Sequence, residues 1–286
     1  IAMIFGTING GRGAIANEAN AGPGSGVLDA SFVSFIHNTA MDGNEDGGTL
    51  TNASFTNGAM MTIANSFIAA TGGHAPRGSG TQCLFNEAPI IVGFNFSNDA
   101  SCTGFIANTI VSLDDGVPAD HGGRTGSFAL APGSVAIDGG NCSLASGLAN
   151  SADQRQASRP FDGDANGIAR CDVGAYEFST NPQLEIFTTG DGEGSVISDG
   201  IDCGGADGDC LEFPAAGSTV TMTALPASGS FVASWSGCNS TDPGLTQCSI
   251  TNFNADTDVT VSFGTNANPG EADMSAALNG LPSAAV

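Results

Sequence analysis

The chain of 286 residues contains no lysine, a single tryptophan and a single tyrosine. Its six cationic side chains are all arginine and stand against 29 acidic ones, a formal net charge of −23. Such a chain repels phosphate backbones and anionic lipid, because binding there requires a cationic surface that releases counterions; nucleic acid is excluded as a partner. No apolar run approaches the roughly 18 residues of a transmembrane segment, and no signal peptide opens the sequence. The chain starts at Ile1, in strand-like sequence rather than at Met, and reads as a mature or trimmed form whose export signal has been removed. No GxSxG, HExxH, P-loop or GxGxxG pattern occurs. Glycoside hydrolysis needs two carboxylates converging on one bond. The only adjacent aspartates, Asp114 and Asp115, lie in the loop-like VSLDDGVPAD. Without lysine, a lyase base would have to be an arginine or one of the isolated His37, His74 and His121. The expectation is a protein that is not an enzyme.

What is present points to β-structure. Charged residues make up 12% and hydrophobic ones 41%, too apolar a balance for disorder, and 42 glycines with abundant Ser, Thr and Asn suit short strands and tight turns. Across residues 1 to about 80, GTINGGRGAIANEA, VLDASFVSFIHNTA, GGTLTNASFTN and GAMMTIANSFIAAT recur at a period of roughly 20 to 25 residues, as solenoid rungs do. Asn38, Asn52, Asn57 and Asn65 fall where a rung would turn, since Asn tolerates left-handed backbone and bonds its neighbours. After Pro182, the runs LEIFTTG, GSVISDG, CLEFPA, TVTMTALP, FVASWSGC, CSITNF and DVTVSFG alternate apolar and polar residues between turn signals, as a small antiparallel β domain does. Trp235 reads as a core residue of that domain. Residues 265–286 have the composition of a linker.

Several blocks also resemble a known family. Pro132-Gly133-Ser134 to Asn141, Asp153-Gln154-Arg155, Arg159-Pro160 and Cys171 to Glu177 match, in order, the closing blocks of choice-of-anchor Q bacterial surface proteins. GFNFSNDASC (Gly93 to Cys102) and HGGRTGSFALAPGS (His121 to Ser134) are similar to the same family. The resemblance covers about half the chain and implies a right-handed parallel β-helix with an irregular cap, on a secreted or surface-anchored protein; it implies no reaction. Downstream, Gly194 to Ser198, Ile201 to Gly204, Val220 to Pro226, Ser230-Phe231, Trp235 to Cys238 and Val259 to Phe263 resemble the divergent bacterial repeat related to internalin-type B repeats. That module is a spacer or adhesion unit of surface proteins. The expected organisation is therefore all-β: a β-helix with its cap over 1–181, a small antiparallel domain over 182–264, and a tail over 265–286. Leu281-Pro282-Ser283-Ala284-Ala285 falls short of a sorting motif.

Eight cysteines, an even number with no CxxC and no nearby histidine, argue for disulfides rather than zinc, and so for an oxidising compartment. Eight cysteines allow 105 connectivities. Sequence neighbourhood and the family pattern together imply the local pairs Cys83 with Cys102, Cys142 with Cys171, Cys203 with Cys210, and Cys238 with Cys248.

Asp162-Gly-Asp164-Ala-Asn166-Gly167-Ile168 places oxygen side chains at alternate positions before a glycine and a residue offering its carbonyl. That is the first half of a calcium loop of EF-hand type. Val173 stands where the bidentate glutamate belongs, and Asp172 one position earlier is the substitute. The expected structural calcium site is Asp162, Asp164, Asn166, Ile168 and Asp172. Asp42, Asn44 and Asp46 repeat the spacing without a later ligand, and a turn is the better reading there. Asp207 and Asp209 are weaker still. Sequons occur at Asn52, Asn95, Asn141 and Asn239.

Three functions remain in view. The first is a structural subunit that assembles head-to-tail with copies of itself into an extracellular fibre: IAMIFGTI is an abrupt apolar edge strand, and a tail such as 265–286 needs a surface to pack on. The second is a monomeric adhesin that binds glycans or other cells. A polysaccharide-processing enzyme is the third.

Overall fold

The computed structural model describes residues 2–8, 15–19, 27–40, 50–54, 60–69, 82–98, 100–114, 116–143, 151–204 and 208–265. For 2–8, 15–19, 37–40 and 51–54 the backbone alone is described. The chain divides into two compact units, Ile1–Thr180 and Asn181–Val286. The described residues are all-β, with strands and turns and no helix.

The first unit contains β1 (Ala2–Ile8), β2 (Ile15–Ala19), β3 (Val27–Ser31), β4 (Val33–Ala40), β5 (Leu50–Ser54), β6 (Met60–Ala64), β7 (Phe67–Ala69), β8 (Cys83–Phe85), β9 (Ile90–Val92) and β10 (Phe96–Ser97). Every strand pairs in parallel with the one three places on, giving the sheets β1-β4-β7-β10, β2-β5-β8 and β3-β6-β9. Ser34 lies beside Phe67, 33 residues further on, and Phe67 beside Phe96, 29 residues further on. The repeat is thus longer than the period expected from sequence. VLDASFVSFIHNTA holds two strands, β3 and β4, joined at Phe32, and GAMMTIANSFIAAT holds β6 and β7, joined through Asn65 and Ser66.

The first residue after each strand of the β3-β6-β9 sheet is left-handed. Phe32 (φ 53), Asn65 (φ 46) and Gly93 (φ 67) stand at the corner where the chain leaves that sheet for β4, β7 and β10, and the register Ser31–Ala64–Val92 stacks them. A single left-handed residue turns the chain sharply without ending the ladder. Of the turn asparagines expected, Asn65 is such a corner, whereas Asn38 and Asn52 lie inside β4 and β5 and Asn57 falls outside the described residues. Asn65 is fully buried. Its Oδ1 accepts the amides of Asn141 and Phe94 at 3.2 and 3.3 Å, and its Nδ2 donates to the Asn141 carbonyl at 2.6 Å.

The described side chains of β4 and β7 are buried on both faces of their sheet, so Val33, Phe35 and Ile36, and Phe67 and Ile68, put apolar groups on both sides rather than alternating. Val33, Phe35 and Ile68 pack with Leu50, Met61 and Ile63 of the other sheets. From the opposite face Ile36, Phe67, Ala69 and Phe96 meet Val111, Phe128, Leu130, Ala136 and Val173 of the segment that follows β10. The described residues of 98–180 hold no long strand and close over this second face through isolated bridges and side-chain hydrogen bonds.

The second unit packs two sheets around a core that includes Leu184, Val196, Met222, Phe253, Val259 and Phe263. Its strands are β11 (Leu184–Gly190), β12 (Gly194–Ser198), β13 (Ile201–Cys203), β14 (Leu211–Glu212), β15 (Ser218–Pro226), β16 (Ser230–Ser236), β17 (Ser240–Thr241), β18 (Gln247–Phe253) and β19 (Thr257–Thr265), ordered β14-β11-β19-β16 and β13-β12-β15-β18-β17. One departure from the expected antiparallel domain is that β11 and β19 pair in parallel along their length. Parallel neighbours need a long crossover, and here β12 to β18 supply it. Trp235 packs against the core, half-buried, with its indole donating to the Leu245 carbonyl at 2.7 Å. Residues 181–265 contain no basic side chain, and like charges stand opposite each other at Glu185–Asp258 and Asp202–Asp209. Salt should therefore stabilise this unit.

Asn65→Ala is expected to destabilise the first unit by about 2 kcal/mol, combining left-handed strain with the loss of three side-chain hydrogen bonds at a buried corner. Asn65→Gly should recover the backbone share of that loss and not the rest. Urea unfolding followed by probes in residues 27–178 checks both.

Candidate functional site

The four family-like blocks converge in one buried cap. Gly174 (φ +100) lies so close to the first sheets that a Cβ there would meet the Phe67 ring at 2.3 Å and Ser34 Oγ at 2.7 Å. Its amide donates to the Asn65 carbonyl, and the next amide, Ala175, donates to Ser34 Oγ at 2.9 Å. Gly140 similarly abuts the Cys171 carbonyl, to which its amide donates at 2.7 Å. The segments 136–141 and 171–178 are therefore fitted against each other and against the corner residues through positions where only hydrogen fits.

Five charged side chains lie inside this contact: Asp153, Arg155, Arg159, Asp172 and Glu177. Arg159 donates to the carbonyls of Asp172 and Gly174 at 2.9 and 2.8 Å, and its Nε stands 3.4 Å from Glu177 Oε2. Its guanidinium also lies 4.6 Å from the centre of the Phe32 ring. Arg155 reaches Asp153 Oδ2 with Nε and Nη2, each at 2.8 Å, donates to the carbonyls of Glu177 and His121, and covers the Tyr176 ring at 3.7 Å. The carboxylates are filled by amides. Asp153 accepts from Arg155, Ala157 and Glu177, and Glu177 from Phe161 and Asp172 at 2.8 and 2.9 Å. Asp172 accepts from Asp138 and Phe178. Isolated buried ions cost several kcal/mol each; here every carboxylate oxygen has a donor, which offsets that cost, while Arg159 Nε, buried beside Glu177, makes no hydrogen bond.

Three carboxylates against two guanidiniums leave one negative charge without a counterion, and the pKa values reflect it. Burial pushes Glu177 up from 4.5 to about 7, against the pull of Arg159 and two amides. Burial, then the neighbouring Glu177 charge, holds Asp172 well above the usual carboxylate range.

Beside this network, a hairpin closed by the Phe161–Arg170 bridge carries the acidic loop. Carboxylate oxygens of Asp138, Asp162 and Asp164 lie within 4.8 Å of one another. Asp138 is buried; it accepts the amides of Asp164 and Arg170 at 2.9 and 3.1 Å, and burial raises its pKa. The structure thus brings Asp162 and Asp164 together as the spacing predicted, but the third carboxylate is Asp138 and not Asp172. Asp172 faces inward, both of its oxygens engaged by the Asp138 and Phe178 amides. Asn166 lies in the loop, its Nδ2 on Asp164 Oδ2 and its Oδ1 on the Ile168 amide. Ile168 is exposed. Asp138 was missed because its ligand partners are distant in sequence; its place in the AIDGGN block was the available signal. The five buried charges were visible only as letters of a resemblance.

Asp42, Asn44, Asp46 and Asp207 fall outside the described residues; Asp209 accepts the Leu211 amide. All four disulfides form in the local pairs expected: Cys83–Cys102, Cys142–Cys171, Cys203–Cys210 and Cys238–Cys248. They are the mark of an oxidising compartment. No helix among the described residues is long and apolar enough to cross a membrane. The sequon residue Asn95 is buried, its side chain bonded to the Ser66 amide and the Val92 carbonyl. Comparison with protein families, curated proteins and solved structures finds no match.

The raised carboxylates set the pH dependence. A carboxyl whose pKa is higher folded than unfolded favours the fold below its unfolded value and loses that contribution as pH rises through the folded one. For Glu177 the window runs from 4.5 to about 7. Asp172 acts in the same direction. The first unit should therefore grow more stable on acidification across this window, by on the order of 3 kcal/mol from Glu177. Thermal unfolding at a series of pH values checks it, and Glu177→Gln should flatten the slope.

Proposed function

We propose that the chain is a non-enzymatic structural protein of the cell exterior, the self-assembling subunit of a surface fibre. In this reading residues 1–181 are a right-handed parallel β-helix with a cap, as the resemblance to choice-of-anchor Q proteins implies, and 182–264 the B-repeat-like spacer. Parallel pairing of every third strand supports the helix. One observation carries the assembly: β1, β2 and β3 each stand at the end of their sheet, with one edge lacking a partner strand among the described residues. The edge that ends a stack of parallel strands can take a further strand, and in this reading a second copy of the chain supplies it. A head-to-tail contact that does not close on itself builds a filament.

The cation in this reading is calcium, held by Asp138, Asp162 and Asp164, with the carbonyl of Ile168 and the Asn166 side chain completing the shell once Asn166 exchanges its bonds to Asp164 and the Ile168 amide for the ion. Its part is structural: it offsets the mutual repulsion of three carboxylates and pins the 161–170 hairpin to the 136–141 segment.

A second reading, the glycan-binding adhesin, is favoured by a groove of about 570 Å³ in the second unit. Thr188, Thr189, Ser195 and Glu193 line it with hydroxyls and one carboxylate, groups that suit a polyhydroxylated ligand.

Sedimentation against protein concentration and ionic strength tests the fibre. Screening of the −23 charge should drive growth into long polymers visible by electron microscopy, and a stable monomer under all conditions would refute it. Calcium should raise the melting temperature of the first unit and EDTA lower it; no shift in either direction would remove calcium from the reading. Selective capture on a glycan array by a protein that stays monomeric would favour the adhesin instead.

A further inference from the structure

The acidic hairpin carries a second chemistry at its tip, where Asn166 is followed by Gly167. Both residues are exposed. The Gly167 amide donates to Asp162 Oδ2 at 2.7 Å. The Ile168 amide donates to Asn166 Oδ1 at 2.9 Å. Asn166 Nδ2 donates to Asp164 Oδ2 at 2.7 Å. The Asn166 amide is shared between Asp162 Oδ1 and Asp164 Oδ1, at 3.0 Å each, and anchors the residue. Gly167 has φ +88, and apart from its chain neighbours no atom lies within 4 Å of where its Cβ would stand, so the tip is open around it.

We propose that Asn166–Gly167 is a self-modifying site, at which the Gly167 backbone nitrogen attacks the Asn166 side-chain carbonyl and the asparagine is deamidated faster than the unfolded chain would allow. Each partner has a place in the step. Asp162 accepts the Gly167 N–H proton as the bond from nitrogen to Asn166 Cγ forms. The Ile168 N–H points at Oδ1, where negative charge develops, and so acts as an oxyanion donor. The Cγ–Nδ2 bond then breaks, the proton passes to the departing nitrogen beside Asp164, and ammonia leaves. A five-membered succinimide remains. Water adds at either of its carbonyls and opens it to aspartate or isoaspartate. One water is consumed and one ammonia released; no oxidant or reductant takes part.

The product matters to the loop. Residue 166 becomes a carboxylate between Asp162 and Asp164, and the hydrogen bond from Nδ2 gives way to like-charge repulsion. An added oxygen anion raises the demand for a divalent cation there. This consequence, unlike the deamidation itself, rests on reading the loop as a cation site.

The test incubates the intact folded protein in mildly alkaline buffer and maps the one-dalton mass gain by peptide. The same chain, reduced and unfolded in urea, is the reference, with Asn9–Gly10, Asn57–Gly58 and Asn279–Gly280 as clocks for the buffer. The Asn166 peptide should convert at least about tenfold faster folded than unfolded. Asp162→Ala should bring it back to the unfolded rate; alanine is chosen because asparagine at 162 would create another Asn-Gly step. Conversion that is equal or slower in the folded protein overturns the proposal without any variant. An Asp162→Ala protein that converts as fast as the parent also overturns it, since the base would then be dispensable. Calcium titration of Asn166→Asp is read separately: affinity no tighter than the parent's would remove the cation consequence and leave the deamidation standing.

Discussion

The way residues 159–178 lock together depends on the Arg159 guanidinium. It is buried against Phe32 and spans the carbonyls of Asp172 and Gly174 while facing Glu177. Glu177 in turn holds the amides of Phe161 and Asp172, and Asp172 those of Asp138 and Phe178. A chain of this composition has few cations to use, and it buries two of its six, Arg155 and Arg159. Removing one partner of such a cluster strands the others, at a cost of about 3–5 kcal/mol, so the cap closes as a unit or not at all. The residues supporting the acidic hairpin are drawn from that unit. Asp138, its third carboxylate, is positioned through the Asp172 side chain.

Some of this could be read from the sequence. The disulfide partners lie close in the chain, and short loops close easily, so neighbourhood sufficed. The strands of the second unit follow alternation because each has one face on the core and one in water. The repeat length in the first unit was misjudged for a physical reason. The corner at Phe32 carries no glycine, proline or asparagine, and a phenylalanine held at φ 53 gives no turn signal. Two strands therefore looked like one. Its strain is tolerated because the ring is fully buried beneath Arg159.

The cation loop was half legible. Alternate oxygens within one turn are a local pattern, and Asp162 and Asp164 do converge; the third member depends on a contact across 24 residues of chain that no spacing rule reaches. Asp172 was the nearest acid in sequence and is the wrong one in space, because its carboxylate is committed to two backbone amides of the cap. Buried arginines are equally hard to foresee. Side-chain type alone places Arg outside, and nothing in the sequence spacing marks Arg155 and Arg159 as buried.

Native-state hydrogen exchange of the amides that donate to the buried carboxylates is the most direct measurement. The amides of Phe161, Asp172, Glu177 and Phe178 should exchange only with global unfolding of the first unit, at the same denaturant dependence as Phe35 and Ile68 in its core. Exchange of those four by a local opening, with little denaturant dependence and while the core amides stay protected, would contradict a cap locked by its ions.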